Sequence, residues 1–258
     1  MKNTLIIICL LSLCTSSCLK DIICIDGNGI VDNQSRDAQE FHQIENSTFA
    51  DVIYKKANSV SINVKAESNI IGHIVTETTN GILEIRTDPG STCFDNIEQP
   101  VITVTSPELN NIILTGSGGI IADELSGNSI IIKSIGSGDL SAGIITCNDL
   151  SVTVTGSGDI DIINASCQNS DFRISGSGDI SIRGNCDNGN MRISGSGDIH
   201  ADEFPVISAT ETISGSGNIY TRVENSLTAI ISGSGNIYLK GNPSINQVVS
   251  GSGRIIRR

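Results

Sequence analysis

The chain has no tryptophan, and aromatic residues make up only 3% of its 258 positions. A compact globular core of that length normally uses more aromatics, since they bury the most area per side chain. What apolar surface there is comes from Ile, Val and Leu, which favour strands. Basic residues are scarce as well. Sixteen Lys and Arg against 28 Asp and Glu leave a net charge of −12. That balance excludes nucleic acid as a partner, because phosphate binding is carried by Lys and Arg. No segment shows the apolar spacing of an amphipathic helix. Catalytic signatures are missing too. His42, His73 and His200 lie near no Ser or Cys in a nucleophile motif. Gly-Ser-Gly is not the Gly-x-Ser-x-Gly elbow. "GNGI" at 27–30 is followed by neither a Lys nor a helix, as a phosphate loop requires.

The first residues read as a leader. Lys2 opens a basic stretch, and "LIIICLLSLC" at 5–14 is an apolar run too short to span a bilayer. "TSSC" then places small residues before Cys18. This resembles a bacterial lipoprotein signal over residues 1–17, with Cys18 as the lipidated first residue of the mature chain. The alternative is an ordinary secretory peptide cleaved nearby. Leu19-Lys20-Asp21 partly matches the surface-export signals of some Bacteroidetes lipoproteins. The expected location is the cell envelope, as an outer-membrane lipoprotein on the surface or periplasmic face. The membrane is met through the lipid only.

What the chain has in abundance is a repeat. Gly-Ser-Gly begins at 116, 136, 156, 176, 195, 215, 233 and 251, at intervals of 18 to 20 residues. A period of that size is the mark of a solenoid. Counting from the first Gly, the fourth position holds Ile120, Leu140, Ile160, Ile180, Ile199, Ile219 and Ile237. The sixth is apolar or small. Alternation by two puts these on one face of a strand. Each unit cannot bury that face alone, so units stack about 4.8 Å apart. The glycines are expected at a corner where the chain turns sharply, often with positive φ, and where no Cβ fits. The polar middles, such as 164–171 and 184–190, read as turns. The expected fold is all-β, a parallel β-helix of 18–20 residues per coil. Residues 18–35 form a tether and tail, 36–115 irregular coils or a cap, and 116–258 the regular repeats. "TTNG" at 78–81 predicts a tight hairpin turn or a corner.

Repeated "GSGD" or "GSGN" before Ile, preceded by "FHQIENSTFADVIYKKANSVSINVKAESNIIGHIVTETTNGILEI" (41–85) and "VTSPELNNIILTGSG" (104–118), resembles the auto-transporter adhesin head GIN domain family. The resemblance covers roughly residues 22–258. It implies a right-handed parallel β-helix, no enzymatic residues and an adhesion role, with a glycan or surface protein as partner and homo-oligomers within reach. The alternative is a polysaccharide-acting enzyme on a pectin-lyase-type β-helix.

Several residues are candidates for chemistry. Asp139, Asp159, Asp179 and Asp198 share one column, continued by Asn218 and Asn236. Neighbouring carboxylates at rung spacing repel by about 0.9 kcal/mol in water. The column is therefore expected to be exposed, with inter-rung Ca²⁺ as a weak metal reading; otherwise no cofactor is expected. Asp and Asn are also good corner residues in their own right. Cys147, Cys167 and Cys186 are expected to stack as small apolar fillers, since parallel neighbours sit awkwardly for a disulfide. Cys24 and Cys93 are the better pair. Tyr220 and Tyr238 share an outward column as a candidate surface contact. Glu211 falls where other repeats place Ile132, Val152 and Phe172, and a local register shift is expected to turn it outward.

Overall fold

The computed structural model describes residues 24–90, 93–95 and 97–258; Cys18 and the leader lie outside them. The described chain is a β-solenoid of about 7 turns. Six long strands carry it: Ile120–Ser134, Leu140–Val154, Ile160–Ile174, Ile180–Ile193, Ile199–Ile213 and Ile219–Ile231. Each pairs in parallel with the next, so that Ile160, Ile180 and Ile199 face one another across successive coils. The last coil is split into Ile237–Lys240 and Ser244–Val249 by a bend at Gly241, whose φ is +98.

The polar middles are not turns. Residues 164–171 and 184–190 stay inside long strands and keep their parallel register partners. The coil bends where two successive side chains both face out, as at Ile163-Asn164 and Gln168-Asn169. Because every coil bends at the same place, the ladder of backbone hydrogen bonds survives the bend. Between the bends Ala165 and Cys167 still point inward.

The Gly-Ser-Gly corner also works differently from the expectation. None of its glycines has positive φ. Close approach is what requires them. A Cβ on Gly176 would lie 2.0 Å from the carbonyl oxygen of Gly156, and one on Gly158 would lie 2.0 Å from that of Gly138. The backbone N–H of the central Ser links the coils: Ser157 donates to Gly136 O at 3.0 Å, and Ser177 to Gly156 O at 3.0 Å. The heptapeptide recurs because each copy rests directly on the copy before it.

The interior is solid. The column from Ile120 to Ile237 is buried throughout. The next inward column is Ala122, Ala142, Ile162, Ile182, Ala201, Thr221 and Leu239, and opposite it run Ile132, Val152, Phe172, Met191, Glu211 and Ala229. Small residues in one place are matched by large ones elsewhere, as where Phe204 follows Ala201 and packs 5.7 Å from Phe172.

The N-terminal part is both irregular coil and cap. Gln43–Asn46 and Asp51–Lys56 continue the parallel ladder below Asn111–Leu114 and Ile120–Ser134. Val31–Arg36 and Ser61–Glu67 pair antiparallel, and Ser61–Glu67 lies antiparallel on Val101–Ser106. The hairpin Ile74–Thr79 to Ile82–Thr87 turns at Asn80 and Gly81, both at positive φ, as an Asn-Gly turn demands.

Candidate functional site

The aspartate column is a hydrogen-bonded ladder between coils. Each carboxylate Oδ1 accepts the backbone N–H of the equivalent residue one coil on: Asp159 to Asp139 at 2.9 Å, Asp179 to Asp159 at 2.8 Å, Asp198 to Asp179 at 2.7 Å and Asn218 to Asp198 at 2.6 Å. Asn236 and Arg254 extend it at 3.0 and 3.1 Å. An N–H directed at each carboxylate offsets repulsion within the column, because a charge-assisted bond is about twice as strong as a neutral one. Among the described residues no group of three or more His, Cys, Asp or Glu is placed to hold a metal ion. The ladder starts at Asp51, whose Oδ1 takes the Gly119 N–H at 2.7 Å. Gly119 has no side chain to pass it on. That interruption opens a dent of about 420 Å³ between Asp51 and Asp139, with half-exposed Ile121 on its floor.

Two residues further along each coil, one outward column crosses the solenoid. Register pairs join Ile53, Ile121, Ser141, Asp161, Ser181, His200, Tyr220, Tyr238 and Ile256 in order. Three consecutive members near its end, His200, Tyr220 and Tyr238, are aromatic. The His200 and Tyr220 rings stack at 4.8 Å and 11°, and Tyr220 and Tyr238 at 4.7 Å and 7°. The Arg258 guanidinium lies 4.4 Å from the Tyr238 ring centre and 5.1 Å from that of Tyr220, and so bridges the two rings from one side. Rings so stacked cover one another's faces, so they present edges and hydroxyls to solvent. Burial, then the Asp198 charge, pushes the Tyr220 hydroxyl above its ordinary value. Beside the stack Lys240 donates to Asp202 at 2.5 Å and holds that carboxyl below the usual range. His200 was readable as part of this stack, since it lies five residues after the first Gly of its Gly-Ser-Gly, as the tyrosines do; Arg258 lies seven residues after its own and was not.

Along the far corner runs a second ladder, mostly of amides and hydroxyls. Asn169 donates to Asp149 at 2.9 Å, Asn188 to Asn169 at 3.1 Å, and Ser226 to Ser208 at 2.9 Å. The inward column beside it shrinks from Ile130 and Leu150 to Ser170, Gly189 and Ala209 before returning to Leu227. The loss of bulk leaves a groove of about 400 Å³.

Cys24 and Cys93 are joined, with Cα atoms 4.5 Å apart, and tie Ile25–Asp26 to Phe94–Asp95. Cys147, Cys167 and Cys186 are buried free thiols in one inward column. The expected register shift at Glu211 does not occur. Glu211 keeps its place between Met191 and Ala229 and is fully buried. Neither carboxyl oxygen has a hydrogen-bond partner, and the buried Thr221 hydroxyl has none either. Two-residue changes in repeat length are absorbed in the 201–206 stretch, where the ladder skips between Ala201 and Val206, so the later residues return to register. Burial pushes the Glu211 carboxyl up to about 8.

A family model described as "Putative auto-transporter adhesin, head GIN domain" matches residues 40–243. The chain belongs to this family. Solved structures share the head GIN fold. A "putative adhesin" from Parabacteroides merdae superposes with a TM-score of 0.86 at 22% identity, covering 91% of this chain and 98% of that one. A "putative lipid binding protein" from Parabacteroides distasonis gives 0.86 at 27% identity, covering 92% and 100%. A "putative adhesin" from Bacteroides fragilis gives 0.72 at 23%, covering 91% and 100%. No curated protein matches the chain. The family description carries an adhesion-like role.

Proposed function

We propose that the chain is a non-enzymatic adhesion protein of the cell envelope, anchored by lipid at Cys18, that contacts a glycan or a protein surface through its outward column. The observation that supports this reading is the His200–Tyr220–Tyr238–Arg258 stack. Rigid parallel coils fix these side chains at rung spacing, so little rotamer freedom remains to be lost on binding. Tyrosine edges and hydroxyls, flanked by the Asp ladder and by Lys240 with Asp202, offer donors and acceptors in one strip. Such a strip suits the hydroxyls of a sugar chain or the polar rim of a protein. The neighbour described as lipid binding fits this chain through its anchor, because the interior columns are filled by side chains.

The test is a glycan array and an extracellular-protein array probed with the soluble mature chain and with Tyr220→Ala and Tyr238→Ala. A hot-spot-sized loss of about tenfold or more is expected for each variant. Binding unchanged in both variants would remove the stack as the contact.

A further inference from the structure

The inward thiol column does more than fill space. Cys167 and Cys186 are direct register partners on adjacent parallel coils. Both thiols are buried, and beside them the Ser170 hydroxyl donates to Asn188 O at 3.5 Å. Cys186 Sγ donates to Asn188 O at 3.2 Å. The third member, Cys147, has no such partner, and burial pushes its thiol up to about 11. The same molecule shows that the spacing can be bridged. Cys24 and Cys93 sit one residue before the parallel pair Ile25 and Phe94, with Cα atoms 4.5 Å apart, and they are bonded. The usual Cα range for a disulfide, about 4.4–6.8 Å, includes the distance between adjacent rungs.

We propose that Cys167 and Cys186 are a closable dithiol, converted to a disulfide between coils by a disulfide-bearing oxidant. Access comes from the corner groove, which is lined by Asn188, the acceptor of the Cys186 thiol, together with Ser170 and Gly189. Gly189 carries no side chain to narrow it.

Cys186 is the entering nucleophile, because its Sγ lies 3.2 Å from the carbonyl oxygen of Asn188, which lines the groove. The neighbouring Cys167 thiol, chiefly, and the Ser170 hydroxyl lower its thiol to about 7 against the opposing effect of burial. The same contact pushes the Cys167 thiol up. A thiolate near neutrality attacks disulfides well. The Cys186 thiolate attacks one sulfur of R–S–S–R, forms a Cys186–S–S–R bond and releases R–S⁻, which takes up a proton. With that negative charge gone, Cys167 loses its proton to solvent. Its sulfur then attacks the Cys186 sulfur and releases the second R–S⁻. Two cysteine thiols are oxidised by two electrons, and one external disulfide is reduced to two thiols.

Trypsin makes the test direct. Cleavage after Lys133, Arg173, Arg183 and Arg192 puts Cys147 and Cys167 in segment 134–173 and Cys186 in 184–192. The full chain is incubated with oxidised glutathione, alkylated under denaturing conditions, digested without reduction and read by mass spectrometry. The expected product is the two segments joined, lighter by two hydrogens than the free pair. The join persists in Cys147→Ala and is lost in Cys167→Ala, with circular dichroism showing both variants folded. Three alkylated thiols, a stable glutathione adduct on Cys186, or a Cys147–Cys167 link inside 134–173 would each overturn the proposal.

Discussion

Replacing Glu211 by Gln should abolish a pH dependence that the buried acid imposes on stability. The carboxyl lies between Met191 and Ala229 with no solvent exposure and no partner for either oxygen. Burial raises it from 4.5 to about 8. Below the unfolded value both states are protonated and the group is neutral in its effect. Between 4.5 and 8 the unfolded chain sheds a proton that the folded chain keeps. Stability therefore falls as pH rises, by about 1.4 kcal/mol per unit. Across the whole window the 3.5 units, 8 minus 4.5, amount to about 5 kcal/mol, and about 3 kcal/mol of it has gone by neutral pH. Above the folded value the loss levels off. Glutamine keeps the shape and the polar cost but cannot ionise, so its profile should be flat where the native one slopes. Glu211→Met, which matches its neighbour Met191, should add stability at every pH because the two buried carboxyl oxygens are gone. The assay is guanidinium unfolding at a series of pH values, comparing midpoints at unchanged m-value. If the native chain and Glu211→Gln give parallel profiles, Glu211 is not buried as described.

Three further changes follow from the coil contacts. Gly176→Ala places a Cβ 2.0 Å from Gly156 O and should cost at least the ~1–3 kcal/mol of an overpacked core, read as a lowered thermal midpoint. Asp179→Ala leaves the Asp198 N–H without its acceptor and should cost about 1–3 kcal/mol, while Asp179→Asn should restore most of it, as Asn218 does natively. Removing the disulfide by Cys24→Ala frees a loop whose ends are 69 residues apart, a loss of about 4 kcal/mol by loop entropy, visible as early unfolding of the N-terminal cap by hydrogen exchange.

The solenoid was legible because its physics repeats. Any residue wrong for the corner is wrong against an identical neighbour, so Gly-Ser-Gly and the Ile column appear in the sequence at nearly constant spacing. What a single repeat cannot reveal is what happens between repeats. The aspartates read as mutual repulsion when considered as charges. They became a ladder only when the N–H of the next coil was placed against each Oδ1, and no periodicity encodes that direction. The polar middles read as turns because Asn, Asp and Gly favour turns in isolation. Stacked copies that bend together keep their ladder, and tertiary pairing overrides the local preference. The stacking of Cys167 on Cys186 was legible from their offsets, and the register pairs the two as expected.

Glu211 shows why a repeat protein keeps such exceptions. In a solenoid each coil contacts only its neighbours, so a fault is confined to nearest-neighbour interfaces instead of spreading through a shared core. Met191 below and Ala229 above absorb the carboxyl, and Thr221 brings a second unpartnered oxygen to the same interior. The smaller residues Ser170, Gly189 and Ala209 and the dithiol fall within the coils from Ile160 to Ile213. The coils before them, from Ile120 to Val154, carry Ile130, Leu150, Ile132 and Val152 at the matching places. The irregular chemistry is thus gathered in consecutive coils, between well-packed coils on one side and the aromatic stack on the other. Local opening should begin there, and the same opening is what would admit an oxidant to Cys186.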